Sequence, residues 1–330
     1  MTRNMEVEQA VERYLKEKKQ NASDSTIYNN RCALRQFLTF CEQEEIKQMA
    51  QIDAFHLSDF KLQRQEEVSD MTAYNNLSVV RVFIRWAASM DLVDSGLADS
   101  MILPDPDGTR DTKIEPETAN KILTYLDKFE YATFTHVLFA VLWDTGFRLG
   151  TFRAIDLEDY HSDEQYVSIN HRPETGTPLK NGNAAERQVN LHKWVCEIID
   201  DYIQINRHSV TDDHDRNPLV TSEHGRPVNS NLRAHINALT RPCIYSGECP
   251  HDRDQSDCEA ATYQYSQRCP SSVSPHPIRR SAITAWLNDG HRKELISDRM
   301  DVNTDTLDKH YDARTESEKR QLRREQFDMN

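Results

Sequence analysis

The run Leu103-Pro104-Asp105-Pro106-Asp107-Gly108-Thr109-Arg110-Asp111 interrupts every apolar period in this 330-residue chain, and no single helical core can run through it. Two prolines, a glycine and repeated aspartates read as an exposed connection between domains. Residues 1–103 are therefore expected to fold as one domain and 115–330 as a second, with 104–114 between them, and the length supports two cores. In the first part, Val7, Val11, Tyr14 and Leu15 recur at helical spacing. A second helix follows the capping residues Ser23-Asp24-Ser25-Thr26 and carries Tyr28, Leu34, Phe37, Leu38 and Cys41. Ile52 to Phe60 opens a third, and Thr72 through Leu77, Val80, Phe83, Ile84 and Trp86 makes a fourth. This part is all helical.

Beyond the linker the pattern is mixed. Helices are expected at Glu115 to Phe129, Ala132 to Trp143, Leu149 to Leu157 and Lys193 to Ile205. Tyr166-Val167-Ser168-Ile169 and Arg187-Gln188-Val189-Asn190-Leu191 alternate as strands and form a hairpin, with Lys180 near its tip. The fold class is mainly α, a helical domain followed by a mostly helical domain with a small antiparallel hairpin or sheet. Between about 241 and 270 lie Cys243, Cys249, Cys258 and Cys269, accompanied by His251. Thiolates gathered in this way suit a structural zinc that replaces a missing core, although the spacing has no CxxC pair; free buried thiols are the alternative. Cys32, Cys41 and Cys196 fall on helical faces as core residues.

No stretch approaches 18 apolar residues and the first dozen residues are polar, so neither a membrane span nor a signal peptide is expected, and the chain reads as cytoplasmic. The net charge of −14 at first opposes a nucleic-acid partner. It is spread evenly, −5 over residues 1–110 and −9 over the rest, with 27 arginines against 13 lysines. That is the balance of a protein kept soluble by surface acid at high salt, a halophile, in which basic residues collect on one face.

Four separated pieces form one chemical set. Pro275-His276-Pro277-Ile278-Arg279-Arg280 places two arginines in the first turn of a helix, where positive charge is locally unfavourable unless an anion is held. Arg148 follows a Thr-Gly-Phe turn, Lys180 stands on the hairpin, and Tyr311 lies thirty-odd residues beyond the arginines. Two arginines clamp the non-bridging oxygens of a phosphodiester; a lysine protonates the departing 5′ oxygen; His276 assists proton movement; a tyrosine forms a phosphotyrosyl ester that stores the energy of the broken bond. The bland readings are a capping arginine, a hairpin lysine and a packing aromatic.

Taken together these residues resemble the tyrosine recombinases of the phage integrase family. Thr145-Gly146-Phe147-Arg148-Leu149-Gly150 with Leu157-Glu158-Asp159-Tyr160 is similar to the family's first arginine box, and His276-x-x-Arg279 with Gly290 to its second. Lys180 upstream of Glu186-Arg187-Gln188-Val189-Asn190-Leu191 is similar to the hairpin lysine, and Tyr311 stands where the family keeps its nucleophile. Thr26 to Cys41 and Thr72 to Ala87 resemble the helical core-binding domain, whose candidates for lying along DNA are Arg31, Arg35, Thr72, Asn75, Arg81 and Arg85; a solvated helix face is the alternative.

The resemblance implies site-specific cleavage and rejoining of double-stranded DNA through a 3′-phosphotyrosyl intermediate, with no cofactor, by a homo-oligomer that is a dimer on each site and a tetramer in synapsis. A relaxing topoisomerase with the same chemistry, or an accessory DNA-binding protein that has lost it, are the alternatives. Three departures stand out. Arg280 replaces a usual second histidine and is a candidate for transition-state support. The Gly-His box expected before the tyrosine reads Arg299-Met300-Asp301-Val302-Asn303, so a valine stands where a donor belongs; Asn303 is the candidate substitute, and loss of one such donor costs on the order of a hundredfold in rate. The cysteine segment is an insertion.

Overall fold

The computed structural model describes residues 4–105, 113–308 and 315–326. The chain divides into two compact units, Met1–Thr109 and Arg110–Asn330.

The first unit is helical: α1 (Val7–Lys18), α2 (Asp24–Gln43), α3 (Ala54–Glu67), α4 (Asp70–Ser89) and the single turn α5 (Leu97–Ser100). Local chemistry sets the starts. Ser23 Oγ accepts from the Thr26 amide at the head of α2, and Asp53 and His56 cap α3 reciprocally. Apolar faces of α1, α2, α3 and α4 meet around Leu34, Phe37, Phe60, Leu77 and Phe83. Phe37 packs edge-on against Phe60 at 5.2 Å between ring centroids, a geometry that adds to simple area burial.

The second unit is built around α7 (Phe134–Thr145), which is apolar on nearly all sides and therefore central. Packed on it are α6 (Pro116–Phe129), α9 (Lys193–Asp201), α10 (Asn229–Leu239) and α12 (Pro275–Asn288). Short α8 (Leu149–Ala154) follows α7, and the sheet comes next. It has three strands: β1 (Tyr160–His161), β2 (Tyr166–Ile169) and β3 (Arg187–Asn190), antiparallel in the order β1-β2-β3. Val167 faces Val189 in the β2–β3 register, which puts both on the core side. The remaining helices are α11 (Pro242–Tyr245), α13 (Lys293–Met300), α14 (Thr304–Thr306) and α15 (Glu316–Gln326). A satellite core of Ile283, Leu287, Ile296, Met300, Val302 and Leu307 fixes α13 and α14 on α12. Among the described residues no helix is long and apolar enough to cross a membrane.

Helix α8 stops at Ala154, short of the expected Leu157, because a buried charge cluster begins there. Asp156 receives Arg216 Nη2 at 2.6 Å and Arg226 Nη2, while Asp159 accepts both Nη groups of Arg172 at 2.8 Å. The main chain turns to aim those carboxylates, and Ile155 still buries its side chain. Strand β1 and helix α10 were not anticipated: two residues are too few for a period to register, and polar Asn229, Ser230 and Asn231 mask the start of α10.

The zinc expectation is not met. Among the described residues no three or more His, Cys, Asp or Glu side chains are grouped to hold a metal ion. Cys243, Cys249, Cys258 and Cys269 are free, half-buried thiols, and His251 Nε2 lies 2.9 Å from Ser271 Oγ. Cys249 and Cys269 are near enough to Cys243 to add to the burial that raises its pKa. The segment is tied down by ordinary hydrogen bonds instead: Arg241 donates to the Ala260 carbonyl, Tyr263 Oη to the Asn231 carbonyl at 3.0 Å, and Ser272 Oγ to the Asn237 carbonyl at 2.8 Å.

Candidate active site

At the end of α7 the chain must reverse without losing its hold on the core. Thr145 Oγ1 donates to the Val141 carbonyl at 2.6 Å and accepts from the Phe147 amide at 3.2 Å, while Gly146 takes a left-handed φ of 61°. A Cβ on Gly146 would stand 3.0 Å from Met300 Sδ, so glycine serves both the turn and the close approach of α13. The turn delivers Arg148, at the N-cap of α8, to the wall of a cavity of about 740 Å³.

Three other elements supply the rest of that wall. Leu179, buried and donating its amide to His171 Nδ1 at 2.9 Å, anchors the β2–β3 connection so that Lys180 and Asn181 face the cavity. The first turn of α12 contributes His276 and Arg279, and the end of α13 with the following turn contributes Asp301, Val302 and Asn303. Arg148, Lys180, His276 and Arg279 are thus brought together around one space. Tyr311 lies outside the described residues. Arg280 is not among the lining residues, although its charge reaches His276.

Arg279 is the most deeply set of the cations, 2% exposed, with Nη1 donating to the Gly146 carbonyl at 2.7 Å and Nη2 to the Met300 carbonyl at 2.8 Å. It therefore ties the two turns that carry Arg148 and Asp301 to each other. Enclosure by the protein, and then the charges of Arg279, Lys180, Arg148 and Arg280, push the His276 pKa below its ordinary value near 6.5. At neutral pH that imidazole is uncharged and able to accept a proton. Val302 points into the satellite core, 5% exposed, as a packing residue. Asn303 caps α14, its Oδ1 accepting from the Thr306 amide at 2.6 Å, while also bordering the cavity.

Among the lining residues that sequence reasoning missed are three charged ones, Arg187, Arg233 and Asp301. Arg187 alternates in register with buried Val189 on β3, a period-two signal that marks it as inward-facing. Its guanidinium lies 5.5 Å from the Phe147 ring centroid and donates from Nε to the Arg299 carbonyl at 2.9 Å. Burial lowers its pKa to about 10, and the Asp301 carboxylate counters that while Arg279 and Arg148 add to it. Asp301, left-handed at φ 50° just past α13, forms an ion pair with Arg148 and accepts from Asn181 Nδ2 at 2.8 Å. No local pattern in the sequence signals that pairing.

In the first unit, Arg31 and Arg35 are exposed on α2 and Thr72, Asn75 and Arg85 on α4, with Arg81 half-buried. Arg85 pairs with Asp99 at 3.0 Å.

Residues 10–90 match the family model described as the phage integrase N-terminal SAM-like domain. Among solved structures, the chain is similar to the integrase of the Tn1549 transposon in complex with a circular intermediate DNA, with 15% identity and a TM-score of 0.71 over 96% of this chain and 98% of that one. It is similar also to a lambda integrase dimer bound to a COC' core site, with 11% identity and a TM-score of 0.67 over 94% of this chain and 77% of that one. No curated protein sequence matches the chain.

Proposed function

With residues 10–90 forming a phage-integrase N-terminal SAM-like domain and the chain carrying the tyrosine-recombinase fold, we propose that this protein cuts and rejoins double-stranded DNA site-specifically through a phosphotyrosine on Tyr311. The observation that carries the reading is the cavity that gathers Arg148, Lys180, His276 and Arg279 from three separate stretches of sequence. One scissile phosphate fits that set. Arg148 and Arg279 hold its two non-bridging oxygens and neutralise the charge that builds in the transition state. Tyr311 Oη attacks phosphorus as its proton passes to neutral His276, and the P–O5′ bond breaks with Lys180 supplying a proton to the departing oxygen. The 3′-phosphotyrosyl ester keeps the bond energy, so the reverse attack by a 5′-hydroxyl rejoins strands without ATP. Fixed cations perform the charge neutralisation, and no cofactor enters the proposed cycle. Arg31, Arg35, Thr72, Asn75, Arg81 and Arg85 are the proposed backbone contacts of the first unit, and strand exchange calls for a dimer on each site and a tetramer in synapsis.

The test is a nicked suicide duplex carrying the DNA that flanks the gene. Wild type is expected to give a denaturant-resistant adduct and Tyr311→Phe none; absence of adduct in both removes the enzyme reading. Val302 in the satellite core, where a donor is expected, favours a second reading: an accessory protein that binds the same DNA without cutting it. In that case binding persists while the adduct never forms. Relaxation of supercoiled DNA without recombinant products would point to a topoisomerase.

A further inference from the structure

We propose that Asp301 is an internal occupant of the phosphate clamp, a carboxylate that holds the place of the phosphodiester until DNA displaces it. The inference rests on Arg148 being the phosphate-binding arginine of the proposed function. Asp301 divides its two oxygens between two cavity-lining donors, Oδ2 with Arg148 Nη1 and Oδ1 with Asn181 Nδ2 at 2.8 Å. A phosphodiester offers the same pattern, one negative charge shared by two oxygens, and arginine pairs with both anions in the same manner.

The carboxylate is held there by its backbone. Asp301 ends α13 in the left-handed conformation, its amide bonding back to Asp298 and Ser297, and Arg279 Nη2 grips the neighbouring Met300 carbonyl at 2.8 Å. With 14% of the Asp301 side chain and 24% of Arg148 exposed, the pair is shielded from screening more than a surface ion pair is, yet it borders the cavity from which a phosphate would enter. An incoming phosphate must break this pair, so its apparent dissociation constant is the intrinsic one divided by the fraction of molecules in which Arg148 is open, and its affinity falls in proportion. An isolated phosphate is thereby rejected. A duplex whose other contacts contribute enough to displace Asp301 is accepted, and cleavage is confined to fully engaged DNA.

The experiment measures inorganic phosphate binding to the full chain by calorimetry at low ionic strength, in wild type, Asp301→Asn, Asp301→Gly and Asp301→Asn with Arg148→Gln. Asparagine and glycine both tolerate the left-handed conformation, so either replacement keeps the turn. The single variants are expected to bind phosphate about tenfold more tightly than wild type, with the gain abolished by Arg148→Gln. Equal or weaker binding overturns the proposal, and so does loss of the fold in both single variants, which would make Asp301 a structural brace. Adduct formation on the suicide duplex is followed in parallel. An adduct in wild type with no phosphate gain in Asp301→Asn defeats the surrogate and leaves the recombinase; a phosphate gain with no adduct in any variant does the reverse.

Discussion

Arg279 shows how much one side chain is asked to do. Its guanidinium spans the Gly146 and Met300 carbonyls, so it positions both turns of the cavity in addition to its proposed contact with a phosphate. Arg279→Lys keeps the charge and loses the fork, because an ammonium cannot serve two carbonyls and an anion in one plane. Adduct formation is expected to fall on the order of a hundredfold, with stability lowered by about 1–3 kcal/mol, read from single-turnover cleavage and denaturant unfolding. His276 gives the pH dependence. Its folded pKa lies below the ordinary 6.5, so the unfolded chain takes up a proton more readily than the folded one. Stability from this group is full above 6.5 and is lost as pH falls through the lower folded value. The rate of adduct formation is expected to stay level from pH 8 to 6.5 and to drop only in more acid solution; a drop centred above 6.5 would assign the proton acceptor elsewhere.

Between elements, the junction of α8 with β1 is the place where a buried charge cluster replaces apolar packing. Asp156 is almost fully buried and takes Arg216, Arg226 and Arg172, which fasten the α8 end to the β2–β3 connection and to the segment that follows α9. Asp156→Asn removes the one anion those three arginines share and leaves their charges partly uncompensated. A loss of about 3–5 kcal/mol is expected in denaturant melts, far more than for an exposed pair such as Arg13–Glu17. Helix α7 is the other element on which the site depends, since its apolar circumference fixes the Thr145-Gly146 turn at the centre of the unit. Helices α1 to α4, α6, α7 and α9 are legible in the sequence because a 3.6-residue apolar period is a short-range property. The stop of α8 is not, because its cause, Arg216, lies 60 residues from Asp156.

For the whole molecule, each unit has its own core: one around Phe37, Phe60 and Phe83, the other around α7. Fragments 1–105 and 113–330 are expected to unfold cooperatively on their own, each reproducing one calorimetric transition of the full chain; a fragment without a transition would show that its core needs the other. The sequence by itself determined the helical character, the hairpin and the order of the arginine, lysine and histidine boxes, because periodicity, capping and turn chemistry act over a few residues. It also suggested a metal among four cysteines that the folded chain does not gather into a ligand set. Only the tertiary structure decided which charges converge: Arg187 turned inward beside Phe147, Val302 drawn into a core, and Arg148 paired with Asp301 across 153 residues. Electrostatic pairing depends on distance in space, and that distance is set by the packing of α7, α12 and α13.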